Sequence, residues 1–320
     1  MRIAAKTMLL ASLHGCALST AAAQSQSELV VSRVGLTTIV RVAADGQASD
    51  TVYSSSGVDV SDLTIAPDGR FIAALERLDR ASRANRLVVL SPGGRVVRFI
   101  NRDVRTYVWC CGDRIAAVTG AYEEDRGFTP TGAYLIDVDE NSEQRIDIPA
   151  PYEVVWASFD QALYFKVPAP LGSRNVLRYD PQTGESKLTG YLDLRFSPSG
   201  RFYLHYYPDV TLGPPGPHIF DRETGLEVPL PDPSLGGIEG WVFSEGDYLQ
   251  LKRARYPYRQ GMLRGPEVVE GYTIFDVRRG EVAAQIRDSI RTDLVVAEGA
   301  LVMPANGAIR LVRAPGEIRR

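Results

Sequence analysis

The residues best suited to chemistry stand in one run, Lys252-Arg253-Ala254-Arg255-Tyr256-Pro257-Tyr258-Arg259-Gln260-Gly261-Met262-Leu263-Arg264. Five cations and two tyrosines occur there without an acid, in a chain whose net charge is −3. Planar Arg and Tyr side chains bury much area at small entropic cost, so they concentrate at contact hot spots. The run reads as a lip gripping an anionic ligand or acidic partner segment through Lys252, Arg253, Arg255, Tyr256, Tyr258, Arg259 and Arg264. It reads equally as a solvated basic loop paired with Glu123, Glu124 and Asp125.

Three carboxylates, Glu153, Asp193 and Glu239, precede apolar runs at similar places in the chain. Brought together, such oxygens could hold Ca²⁺ and support a metal-dependent hydrolase or lyase. Hydrolysis by a nucleophile needs Ser or Cys beside a base. Ser197 and Ser199 fall in a turn, and nothing places them beside His205 or His218. The expectation is therefore a binding protein with no cofactor and no catalytic residue, and the three carboxylates stand as the metal-dependent alternative. The adjacent Cys110 and Cys111 can form a strained vicinal disulfide or remain two small buried thiols. Their spacing does not suit a metal site, whose ligands normally alternate with spacers and histidines.

Short strands must position these groups. Leu192–Leu230 divides into a strand Leu192–Ser197, the turn Pro198-Ser199-Gly200, a strand Arg201–Tyr207, a Pro/Gly loop, a strand His218–Asp221, the turn Arg222–Gly225 and a last strand. Phe202, Leu204 and Tyr206 alternate with Tyr203, His205 and Tyr207, so both sets read as packing faces. The first hairpin recurs as LTIAPDGRFIAAL (Leu63–Leu75) and, more loosely, from Val108, Val155, Val242 and Leu294. After a loop comes an apolar strand ending in Asp, most often followed by Gly, from Leu87, Ala133, Val176, His218 and Tyr272. Asp accepts from turn amides and Gly takes positive φ, so each of these is a tight hairpin.

A period of roughly 40–50 residues with four strands per unit is the mark of a β-propeller. The fold class is all-β, with seven four-stranded blades and incomplete end blades, or six if the chain ends share one. APDGRFIA (Ala66–Ala73) and SPSGRFYL (Ser197–Leu204) resemble the hairpin of the WD40-like (PD40) repeats in TolB-type propellers. That resemblance implies a periplasmic, non-catalytic propeller that contacts other proteins. The α/β domain that precedes the TolB propeller has no expected counterpart here.

Arg2 and Lys6, the apolar run Thr7–Leu13 and Ala21-Ala22-Ala23 have the layout of a cleaved secretory signal. Residues 1–23 are thus expected to be removed, leaving one propeller domain over 24–320. Removal takes Arg2 and Lys6 and no acid, so the net charge goes from −3 to −5. An acidic chain argues against nucleic-acid binding, and no later apolar run is long enough to span a membrane. The expected location is periplasmic or secreted, the expected state a monomer. Leu13-His14-Gly15-Cys16 offers the alternative of a lipoprotein anchored at Cys16.

Propeller topology sorts the loops. First-to-second and third-to-fourth strand turns share one face of the disc, while second-to-third loops and inter-blade connections share the other. The long insertions Glu76–Asn85, Gly120–Thr131, Pro168–Arg174, Pro208–Pro217 and Lys252–Glu267 all fall between second and third strands. Loops on a rigid scaffold usually carry binding, so the loop-rich face is the expected working surface.

Overall fold

The second strand of each repeat decides the architecture, because it is apolar on both sides. Ile72–Arg77 and Ala162–Pro168 are buried along nearly their whole length, and a strand buried on both faces needs a layer on each. In Ile72–Arg77, Ile72 and Ala74 pack one way and Ala73 and Leu75 the other. Ile115 and Ala117 likewise face one neighbour, Ala116 and Val118 the next. Leu163 and Phe165 oppose Ala162 and Tyr164, and Phe202 and Leu204 oppose Tyr203. Each apolar cluster therefore lies between two successive sheets, which is how blades stack in a propeller.

The computed structural model describes residues 31–42, 48–81, 84–123, 127–169, 174–207, 216–230, 237–242, 247–255, 268–286, 296–297, 300–305 and 308–313. Its strands form seven antiparallel sheets, with no helix among the described residues. The first holds β1 (Val31–Val34), β2 (Thr38–Val42) and β3 (Ala48–Ser54). Next come β4 (Asp59–Ile65), β5 (Ile72–Arg77), β6 (Asn85–Leu90) and β7 (Val96–Ile100). The third sheet is β8 (Val104–Cys110), β9 (Arg114–Glu123), β10 (Gly127–Asp137) and β11 (Ser142–Ile146). The fourth is β12 (Glu153–Ala157), β13 (Ala162–Pro168), β14 (Arg174–Tyr179) and β15 (Ser186–Leu188). β16 (Phe202–Tyr207), β17 (Gly216–Asp221) and β18 (Glu227–Val228) make the fifth. The sixth is β19 (Gly237–Val242), β20 (Tyr248–Arg255), β21 (Val268–Asp276) and β22 (Glu281–Ile286). β23 (Val296–Ala297), β24 (Ala300–Ala305) and β25 (Ala308–Arg313) make the last. The outer strand β15 is exposed throughout, while the first strands β4, β1 and β23 lie against one another, bringing the two ends of the described chain together.

The hairpin turns form as the sequence leads one to expect. Gly69 (φ +74°) and Gly200 (φ +76°) sit at the same turn position and donate to Ala66 O and Ser197 O, each at 2.8 Å. The carboxylates of Asp180, Asp221 and Asp276 accept turn amides at 2.8, 2.9 and 3.1 Å. One strand departs from expectation. Leu192–Ser197 makes only a bridge between Phe196 and Tyr203, so its sheet has three strands. The amides that would extend the ladder are used elsewhere. Leu194 N donates to Asp193 Oδ1 at 2.8 Å and Leu192 N to the Tyr203 hydroxyl at 3.3 Å.

Candidate binding face

The expected loop Gly120–Thr131 is largely strand, and the one from Lys252 begins as strand through Arg255. β9 and β10 stay paired beyond the last register of their flanking strands, Val104↔Thr119 and Ala133↔Ile146. Gly120↔Pro130 through Glu123↔Gly127 thus form a two-stranded ribbon beyond the blade, with a bulge between Pro130 and Gly132. β20 and β21 do the same past Gly237↔Lys252 and Tyr272↔Ile286, and a bulge lies between Arg253 and Ala254. Both ribbons rise from the loop-rich face.

Gly120 sets how the first ribbon sits. A Cβ there would come within 2.4 Å of the Phe128 ring and 2.5 Å of Thr129 O. Without it, the Phe128 ring lies across the ribbon, 5.8 Å from the Arg105 guanidinium and tilted against Tyr152 at 6.5 Å. Arg105 falls at a register irregularity of β8, between Val104 and Thr106. Asp62 (φ +50°) falls at one in β4 and Glu239 at one in β19. Bulges re-aim side chains, so three first strands each carry a charged residue at such a site. Burial pushes the Asp62 carboxyl up, with the charge of Arg105 pulling the other way.

The residues of the basic run separate. Lys252 is half-buried on β20, with Arg253 and Arg255 after it on the same strand. Lys252 is therefore the last blade residue of β20 and Arg253 and Arg255 are ribbon, not loop: the strand pairing that continues through Arg255↔Val268 fixes their backbone. The side chains of Arg253 and Arg255, and all of Tyr256, Tyr258, Arg259 and Arg264, lie outside the described residues.

Of the three carboxylates, Glu153 and Asp193 do converge, and they converge on a cation from the chain itself. Lys166 Nζ lies 2.5 Å from Asp193 Oδ1 and 3.6 Å from Glu153 Oε2. Burial alone would raise the Asp193 carboxyl; hydrogen bonds from Lys166 and Leu194 and the Lys166 charge outweigh it, and the net shift is downward. The side chain of Glu239 lies outside the described residues. Lys166 has a weak signal in the sequence, being the one charge in the apolar run Ala162–Val167.

The opposite face is built for rigidity. The turn between first and second strands holds Arg70, Asp113, Arg201 and Asp247 immediately before the second-strand residue that closes it, and Asp160 one position earlier in its own sheet. Arg70 pairs with Asp68, Asp113 and Asp139, and Arg201 with Asp221 at 2.7 Å. Asp247, fully buried, takes the Ser199 hydroxyl and Arg278 Nε at 2.5 Å each. Arg222 reaches into the adjacent sheet, donating to the hydroxyls of Tyr191 at 2.7 Å and Tyr164 at 2.6 Å and pairing with Asp160 at 3.1 Å. Its guanidinium also lies 4.9 Å from the Phe196 ring. Aligning the hairpin turns would have exposed Arg70, Asp113, Arg201 and Asp247 as a charged row at the start of the second strands.

Cys110 is buried and Cys111 half-buried, both as free thiols. Tyr203 packs in the core and His205 beside it, their rings 6.2 Å apart. His218 pairs with Glu227 at 2.6 Å. Phe202, Tyr203 and Leu204 are all buried, as two packing faces require; the side chains of Tyr206 and Tyr207 lie outside the described residues.

No protein-family model matches the chain, and no curated protein matches it. Solved structures do. The β-propeller domain of the Trilobed protease from Pyrococcus furiosus is 14% identical, covering 91% of this chain and 96% of that one with a TM-score of 0.53. A hydrazine synthase chain from Kuenenia stuttgartiensis is 14% identical over 87% of this chain and 90% of that one, TM-score 0.53. TolB from Acinetobacter baumannii, the group the hairpins resemble, is also matched, at 16% identity and TM-score 0.47 over 82% of this chain and 63% of that one. At such identities the likeness concerns the fold alone: the protein is a β-propeller. Among the described residues no helix is long and apolar enough to cross a membrane.

Proposed function

We propose that the protein is an exported, non-catalytic β-propeller scaffold that grips an acidic protein segment or other anionic ligand on its loop-rich face. The observation that carries this is the pair of two-stranded ribbons, β9–β10 and β20–β21, standing past their blades on that face. A ribbon adds contact surface at little ordering cost, because its backbone is already paired. The opposite face spends its charged groups on one another, across sheets in Arg70–Asp113 and Arg222–Asp160 and within one sheet in Arg278–Asp247.

In this reading residues 1–23 are a cleaved signal, 24–320 one monomeric domain whose seven sheets are seven blades, and the second ribbon with its base presents Lys252, Arg253, Arg255, Tyr256, Tyr258, Arg259 and Arg264. The metal-dependent alternative is weakened because Glu153 and Asp193 already hold the Lys166 ammonium. The test replaces residues 121–129, or 254–269, by a tight turn and follows a co-purifying partner. Loss of the partner from these variants, and its retention when the turns at 66–70 and 198–200 are exchanged, is the expected result. The reverse pattern sinks the proposal.

A further inference from the structure

The vicinal cysteines lie away from the binding face, at the end of the first strand of the third sheet. Cys110 closes β8 opposite Arg114, and its side chain joins the apolar layer between the third and fourth sheets with Val154, Leu163 and Tyr179. Cys111 opens the turn in the left-handed region (φ +40°), followed by Gly112 (φ +88°). A non-glycine residue held there costs on the order of 1 kcal/mol, and such outliers are worth reading for function. The arrangement makes the two cysteines unlike. Cys110 is enclosed, 1% exposed, while Cys111 is only half-buried and feels the charge of Arg114.

We propose that Cys110 and Cys111 form a thiol–disulfide exchange site, with Cys111 as the attacking sulfur and Cys110 as the resolving one, taking low-molecular-weight disulfides as substrate. A hydrogen bond from the Cys110 thiol and the positive charge of Arg114 lower the Cys111 thiol, against burial that would raise it. The same hydrogen bond, with burial, pushes the Cys110 thiol up. A lowered pKa gives the thiolate, which is the nucleophile.

The exchange balances in two steps. The Cys111 thiolate attacks one sulfur of the substrate R–S–S–R; a Cys111–S–S–R bond forms and R–S⁻ leaves, taking a proton from solvent. Cys110 then gives up its proton and attacks the Cys111 sulfur; the Cys110–Cys111 bond forms and the second R–S⁻ leaves, taking that proton. The dithiol is oxidised by two electrons and the substrate reduced to two thiols. A disulfide between adjacent residues is strained and so readily reduced, which suits exchange more than a permanent staple. The site is independent of the proposed binding role, since it lies on the opposite face.

The test uses the full chain carrying Cys16→Ser, which leaves these two cysteines as the only thiols, and oxidised glutathione as probe. Mass spectrometry of the reacted chain should show loss of two hydrogens and no retained glutathione. The further variant Cys110→Ala should accumulate glutathione on Cys111, and Cys111→Ala should do neither. Limited alkylation with iodoacetamide near neutral pH reads the same order without touching the core, and Cys111 should be modified ahead of Cys110. Phenylarsine oxide, which bridges paired thiols, should bind once per chain. Retained glutathione on the parent chain, equal alkylation of both cysteines, or no reaction overturns the proposal.

Discussion

Lys166→Met removes the ammonium from between two carboxylates while keeping most of the buried stem. Lys166 is 9% exposed, Asp193 31% and Glu153 52%. Breaking a fully buried pair costs about 3–5 kcal/mol, and an exposed pair contributes about 0–1 kcal/mol. With one partner buried and two partly solvated, the loss should be about 1–3 kcal/mol, measured as the shift in urea midpoint at constant slope. The pH dependence is a second readout. Asp193 titrates below its ordinary value in the folded chain, so its contribution is present above the unfolded pKa of about 3.9 and lost as pH falls through the folded one. The gap between parent and variant should therefore close below about pH 4. With the internal cation gone, Ca²⁺ should raise the melting temperature of Lys166→Met and leave that of the parent unchanged. A parent chain that gains stability with Ca²⁺, or a variant as stable as the parent from neutral to acid pH, would refute the reasoning.

Other perturbations test the fold's supports. Gly200→Ala should destabilise by about 2–4 kcal/mol, since its Cβ would meet the Ala157 Cβ at 2.3 Å in a left-handed turn. Gly69→Ala, with the same φ but open space, should cost only about 1 kcal/mol, and equal melting temperatures for the two would contradict this. Phe165→Ala, emptying a fully buried site between the third and fourth sheets, should cost about 3–5 kcal/mol by urea denaturation. His205 titrates below its ordinary value, through burial and then the neighbouring charges of His218 and Arg195. The folded chain thus binds fewer protons than the unfolded one below about pH 6.5, and stability should fall on acidification through that range. His205→Gln should flatten that slope, and an unchanged slope would count against it.

What could be read in the sequence was whatever is local. The Pro-Asp-Gly and Pro-Ser-Gly hairpins and the Asp-to-Gly turns set φ and hydrogen bonds within a few residues, and both repeats close alike. The double alternation Phe202/Leu204 against Tyr203 announced two packing faces, and both are buried. Errors arose where a residue answers to something distant. Gly120 and Pro130 look like loop punctuation, yet Gly120 makes room for a ring and Pro130 stands beside a bulge, where a missing donor is tolerated. Lys166 depends on Asp193 from a separate blade. Leu192–Ser197 alternates like a strand, but its amides go to Asp193 and Tyr203, a choice that only the tertiary neighbours decide.

The central claim, that the loop-rich face grips acidic partners, is tested most directly by calorimetric titration of a polyglutamate peptide into two chains. One is the parent; in the other Arg253, Arg255, Arg259 and Arg264 are changed to Glu. The account predicts binding to the parent that weakens as salt is raised, and none to the charge-reversed chain. Equal binding to both, or no binding to the parent at low salt, would contradict it.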